Sequence, residues 1–152
     1  MIIRKGTTAQ LENCRQCLTN CILGEKYFYD PDHTLNFLTE GFNKCEIYTA
    51  LNSAGETIGF MRIDLTGAFA KFPLLRVIAV ADNYRGRGFG SAMLKFYENL
   101  GFEKSDKTFL LVSEFNREAK KLYERIGYME VGKIPDLYQD GIAEFLMMRK
   151  AK

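Results

Sequence analysis

The stretch VIAVADNYRGRGFGSAML, Val77 to Leu94, changes character twice. An apolar run ends at Ala81, glycines follow at 86, 88 and 90 among Arg85 and Arg87, and an amphipathic pattern begins near Ser91. A tight turn requires one glycine. A strand that delivers several into a helix N-terminus points a run of unpaired N–H groups one way, and it lacks the Cβ atoms that would hold a phosphate off. The helix dipole adds partial positive charge, and two arginines and a serine hydroxyl add donors. Arg85, Gly86, Arg87, Gly88, Phe89, Gly90 and Ser91 are therefore read as a pyrophosphate cradle. A plain turn with two solvated arginines would need fewer glycines.

Two familiar phosphate loops fit poorly. GRGFGS approaches the dinucleotide fingerprint G-x-G-x-x-G, but Ser91 takes the final glycine position and no strand-end acid stands at the required distance. A single crossover follows the loop, whereas that fold repeats a parallel series. A nicotinamide-dependent oxidoreductase is thus a remote alternative. No Gly-Lys-Ser/Thr occurs, so a Walker loop is excluded.

Outward from the loop, the sequence predicts one domain over residues 1–152. MIIRK reads as a strand, and Thr7 with Gln10 forms a capping box for a helix ending near Gly24. EKYFYDPDHT reads as a polar aromatic loop broken by Pro31, before a helix over 34–42. CEIYTAL, ETIGFMRIDL and FPLLRVIAV are β-branched and aromatic runs, the first two parted by the turn NSAG. After the glycines come a helix (SAMLKFYENLG), a strand (TFLLVS), a helix (REAKKLYERIG) and two closing strands (YMEVGKI, AEFLMMRK). This β-α-α-β-β-β-α-β-α-β-β order predicts a mixed sheet with helices on its faces. The ends of the strands flanking the crossover from Leu74 to Ser113 form the expected ligand crevice.

Composition narrows the function. The chain has 152 residues, 47% hydrophobic and 26% charged, with a net charge of +2. That balance gives no reason to expect nucleic acid or a membrane surface as partner. No cationic leader and no membrane-length apolar run is visible, so a cytoplasmic location is expected. Cys14, Cys17 and Cys21 in CRQCLTNC resemble a ligand cluster, but no second CxxC exists and His33 is the only histidine. Leu11, Cys14, Leu18, Cys21 and Ile22 recur at helical spacing with Cys17 beside them, which predicts a buried stripe rather than metal.

VIAVADNYRGRGFGSAML resembles the acetyl-coenzyme A motif of the GNAT superfamily of N-acetyltransferases, Arg/Gln-x-x-Gly-x-Gly/Ala after an apolar strand. Arg85, Gly88 and Gly90 fill its fixed positions. NREAKKLYERIGYMEVG is similar to the family's second signature, matching at Asn116, Ala119, Leu122, Tyr123 and Gly127, with Tyr128 where Phe is commonest. Two motifs in the family's order are far more specific than one glycine loop. The resemblance implies an α/β (α+β) GNAT fold: a single mixed, mostly antiparallel sheet flanked by helices, splayed between two central parallel strands to admit acetyl-CoA. Dimers are common in that family, although no heptad or interface stripe marks this chain.

The resemblance also implies a reaction. Backbone groups of Ile78, Ala79 and Val80 would meet the pantetheine arm as an added strand would, and the segment from Arg85 to Ser91 would wrap the pyrophosphate. An amine then attacks the thioester directly. A free alkylammonium has a pKa of ~10.4, so on the order of one in a thousand is neutral at pH 7 and a base or desolvation is required. The oxyanion needs a donor, assigned to the Val80 N–H. Tyr123 is the family's usual proton donor to the departing thiolate. Read by spacing alone, Ala119, Leu122, Tyr123 and Ile126 form a core-facing stripe and Tyr123 is a packed aromatic.

Asn116 suits both an N-cap and a ligand contact. No base is singled out: Glu114, Asp64, Tyr27, Tyr29 and Tyr138 stay open, and Leu111 stands where ribosomal-protein N-terminal acetyltransferases tend to carry an acid. Tyrosines and aspartates in EKYFYDPDHT and PDLYQDG suit a cationic amine. The acceptor is a small-molecule or peptide amine, with the small molecule slightly favoured. A CoA-binding sensor without turnover is the alternative.

Overall fold

The computed structural model describes the whole chain, Met1–Lys152. Its elements are β1 (Ile2–Lys5), α1 (Leu11–Thr19), α2 (Ile22–Lys26), α3 (Pro31–Asn43), β2 (Ile47–Leu51), β3 (Thr57–Ala68), β4 (Phe72–Val80), α4 (Phe89–Phe102), β5 (Lys107–Ser113), α5 (Arg117–Ile126), β6 (Met129–Ile134) and β7 (Glu144–Lys150). One seven-stranded sheet runs in the order β1-β2-β3-β4-β5-β7-β6. Its parallel pair is β4 with β5, as the crossover through α4 requires. No helix is long and apolar enough to cross a membrane. The chain divides into two compact units, residues 1–63 with 77–96, and residues 64–76 with 97–152.

In the first unit, strand alternation puts Ile47, Thr49, Phe60 and Arg62 on one face of β2–β3. There Cys14, Cys17 and Leu18 of α1 and Leu38 of α3 pack with Ile47, Phe60, Val77 and Ala79. On the other face, Tyr48 meets Phe96 of α4 with ring centroids 5.5 Å apart. All four cysteines are free; Cys14 and Cys17 are buried as packing, Cys21 is half-buried and Cys45 is exposed. Burial pushes the Cys14 thiol up to about 12 and the Cys17 thiol up to about 11.

Two sequence expectations are corrected here. The first helix does not reach Gly24: it ends at Thr19, and the chain turns so sharply that a Cβ on Gly24 would lie 2.2 Å from the Thr19 carbonyl oxygen. Ile22 consequently leaves the buried stripe and is 40% exposed. Pro31 does not break a loop. It opens α3, where its missing N–H costs nothing, and the Asp30 carboxylate accepts the Asp32 N–H at 3.0 Å as the cap.

In the second unit, β5 pairs antiparallel with β7 from Lys107–Lys150 to Ser113–Glu144, and β7 pairs with β6. One face of this ladder meets α5 and the chain that follows it. The Tyr128 and Thr108 hydroxyls share a 3.1 Å hydrogen bond, and the Lys120 ammonium lies 4.1 Å from the Phe145 ring centre. Buried Glu98 accepts two bonds from Arg149 at 2.8 and 2.7 Å.

Candidate active site

In the glycine segment, Gly86 and Gly88 adopt φ of +73° and +84°, the left-handed region that disfavours side chains. A Cβ built on either meets nothing within 4 Å. The backbone there faces open space rather than a packed wall. The first bond of α4 runs from the Ala92 N–H to the Gly88 carbonyl at 3.1 Å. The amides of Phe89, Gly90 and Ser91 thus lie in the first turn, where N–H groups have no partner within the helix. A concave run of free amides at a helix N-terminus fits a pyrophosphate.

The strand entering this loop is oriented by β3. The Ala81 N–H donates to the Ile58 carbonyl at 2.8 Å. By alternation, Ala79 turns its backbone groups toward β3, while Ile78 and Val80 turn theirs to the opposite edge. The parallel register pairs Leu74 with Phe109 and Leu75 with Leu110 and goes no further along β4. Ile78 and Val80 lie beyond its end.

The two arginines of the loop differ. All three Arg85 guanidinium nitrogens are engaged: Nε donates to the Val80 carbonyl at 3.1 Å, Nη1 to Asp82 Oδ1 at 2.9 Å and Nη2 to the Asn20 carbonyl at 2.7 Å. Its side chain is a brace within the loop. Arg87 lies over the Tyr84 ring at 5.4 Å, and Tyr84 in turn meets the Phe89 ring edge-on at 5.8 Å and accepts from Asn52 Nδ2 at 3.1 Å. The exposed Arg87 guanidinium is the loop's cation.

In the second unit, Tyr123 projects from α5 and is buried against Tyr128, with ring centroids 6.2 Å apart. Burial, as the sole cause, pushes its phenol up to about 12, so it holds its proton throughout the neutral range. Asn116 occupies the N-cap position, but its side chain makes no capping hydrogen bond. Its amide is not consumed by the helix.

Of the open base candidates, Asp64 lies 3.9 Å from Arg76 and accepts from the Thr66 amide at 3.1 Å. Glu114 accepts from the Ala143 amide at 3.0 Å and faces Lys133 at 3.9 Å. Tyr29 is 72% exposed. Tyr138 is also exposed, at 58%. Sequence reasoning missed one group here: Glu144, buried with Ser113, whose Oγ donates to Glu144 Oε1 at 2.7 Å. A signal existed, because Glu144 is in phase with the apolar Leu146 and Met148 on β7.

A family model described as the acetyltransferase (GNAT) family matches residues 14–128. The chain belongs to this family. Its two sequence motifs, from Val77 to Leu94 and from Asn116 to Tyr128, both fall inside that span. An uncharacterised N-acetyltransferase of Methanocaldococcus jannaschii is 35% identical over 75 residues, 48% of each chain. This GNAT chain therefore spans about half the length of that curated relative. A GNAT-family acetyltransferase of Bacillus cereus shares the fold at a TM-score of 0.79 and 19% identity, covering 99% of this chain and 97% of that one. An aminoglycoside 6'-N-acetyltransferase solved with coenzyme A gives a TM-score of 0.76 at 14% identity, covering 99% and 97%. The expected GNAT fold, one mostly antiparallel sheet flanked by helices, is the fold observed.

Proposed function

We propose that residues 1–152 act as one acetyltransferase domain that moves an acetyl group from acetyl-CoA to a primary amine. The observation that carries this reading is the glycine loop: two left-handed glycines with open space above them, leading into unpaired amides at the start of α4. The cosubstrate supplies an activated thioester. The amides from Gly86 to Ser91 hold its pyrophosphate, with the Arg87 guanidinium adding charge. Arg85 shapes that loop through its three bonds and offers only its backbone to the ligand. Ile78 turns its N–H and C=O groups, and Val80 its N–H, to a pantetheine arm, and Ala79 links them; the Val80 carbonyl is held by Arg85. The Asn116 amide, unused as a cap, adds a polar contact.

Tyr123 gives its proton to the sulfur as the C–S bond breaks. An ordinary thiol has a pKa of ~8.5, so a phenol held near 12 does not surrender its proton to a thiolate unaided. The transfer is driven because the same step releases a proton from the acceptor nitrogen. The acceptor is a cationic amine, with a small molecule favoured over a lysine side chain or an N-terminus. The tyrosines and acids at 25–34 and 135–141 suit it by charge and ring contact.

The test is free-thiol release from acetyl-CoA with spermidine, lysine, kanamycin and a peptide bearing a free N-terminus, run beside Tyr123→Phe. Turnover with one amine, lowered about 10²–10⁴-fold in the variant with acetyl-CoA binding retained, is expected. Full activity in Tyr123→Phe would overturn the acid assignment. Binding without turnover on any amine would favour a CoA sensor, and no binding would overturn the reading altogether.

A further inference from the structure

We infer that Tyr84 is a positioning residue for the cosubstrate: its ring, steered by Asn52, holds the Arg87 guanidinium ready for the phosphates. This rests on the acetyl-CoA reading above. Arg87 is exposed and makes no hydrogen bond or ion pair with the protein; what fixes it is the Tyr84 ring, whose centre lies 5.4 Å from the guanidinium carbon.

The loop gives Arg87 no other support. Gly86 and Gly88 flank it, both left-handed, and a Cβ on either meets nothing within 4 Å. An unrestrained arginine there would sample many rotamers, and a phosphate that captured it would have to order them all. An aromatic face removes part of that cost beforehand. Its quadrupole attracts the guanidinium without consuming any N–H donor, so all of them stay available to an anion. Arg85 is the contrast, since its three nitrogens are spent on the protein.

The ring is itself held from three directions. Tyr84 closes the turn after β4, its N–H donating to the Ala81 carbonyl at 2.9 Å. Phe89, the first residue of α4, meets the ring edge-on at 5.8 Å. Tyr84 and Phe89 thus form a base on which the segment between them closes, with Arg87 against it. From outside the loop, Asn52 Nδ2 donates to the Tyr84 hydroxyl at 3.1 Å.

Asn52 is a firm anchor because its whole amide is engaged. Nδ2 also donates to Glu56 Oε2 at 2.8 Å, and Oδ1 accepts from the Ala54 and Glu56 amides at 3.0 and 2.9 Å. These bonds fix it in the turn between β2 and β3, 32 positions from Tyr84. The chain Asn52, Tyr84, Arg87 runs from a braced hairpin to a charged tip. Packing alone does not account for it: Tyr84 is half-buried and its cationic partner exposed, so their contact covers little apolar area.

The experiment is a double-mutant cycle on acetyl-CoA affinity, by calorimetric titration at low salt and at 0.5 M, with Tyr84→Leu, Arg87→Ala and the pair. Tyr84→Leu is expected to weaken binding about fivefold or more at low salt and hardly at all at 0.5 M. It should cost nothing further once Arg87 is alanine. Tyr84→Phe keeps the ring but releases Asn52, and should lose about threefold in the same arginine-dependent way. A loss that persists in the Arg87→Ala background, or at 0.5 M, would make Tyr84 a support of the loop backbone and overturn the inference. No loss in either variant would overturn it too. Should Tyr84→Leu fail to fold, Tyr84→Phe carries the same cycle. A wild type that does not bind acetyl-CoA overturns both readings, whereas binding without this coupling overturns only the present one.

Discussion

Arg85 Nη2 donates to the Asn20 carbonyl at 2.7 Å, tying the glycine loop to the end of α1. The same guanidinium holds the Val80 carbonyl and Asp82, so one side chain fixes the end of β4, the turn after it and the α1–α2 junction. Arg87, two residues on, makes none of these bonds and lies over Tyr84. The two arginines therefore fail differently. Arg85→Ala is expected to weaken acetyl-CoA about tenfold at any ionic strength, because it deforms the cradle. Arg87→Ala is expected to weaken it by a similar factor at low salt and hardly at all at 0.5 M, because it removes a screened charge. Calorimetric titration at two salt concentrations separates them.

The glycines can be ranked by their backbone. Gly86 and Gly88 stand at positive φ with space around them, so alanine meets strain without a clash, about 1–2 kcal/mol at each. Gly90 lies inside α4, and its Cβ would sit 4.0 Å from Val80 Cγ2, an ordinary contact. Gly88→Ala should lower both the unfolding midpoint and acetyl-CoA affinity, while Gly90→Ala should keep the midpoint within experimental error. Thermal melts with and without acetyl-CoA read both effects.

Buried thiols and phenols set an alkaline limit. Burial raises Cys17 to about 11 and Cys14 and Tyr123 to about 12. The folded chain keeps these protons at a pH where the unfolded chain has begun to lose them. The unfolded state then binds fewer protons, and stability falls as pH rises. The contribution is whole below the ordinary thiol range and lost between there and about pH 12. Urea midpoints should be level from pH 7 to 8 and lower at 10.5. A Tyr123→Phe midpoint should fall less over the same interval.

Much of this was legible in the chain because its patterns are local. The bounds of β4 follow FPLLRVIAV residue for residue, and α5 follows REAKKLYERI, where the amphipathic period is strong. The crowding of glycines at 86, 88 and 90 marked the loop, and two of the three, Gly86 and Gly88, are left-handed. What escaped depended on tertiary partners. Arg85 looked like a phosphate donor because nothing local says that Asn20 will take its Nη2. The break after Thr19 has no glycine or proline at its start, and close folding at Gly24 produces it. The Ser113–Glu144 pair joins residues 31 positions apart, so only the β5–β7 register reveals it.

The most direct test of the central claim is an amide NMR titration of the labelled protein with acetyl-CoA. The account expects the largest shifts at Gly86, Gly88, Phe89, Gly90 and Ser91, with a second group at Ile78 and Val80. Shifts confined to other segments, or none at saturating acetyl-CoA, would contradict it.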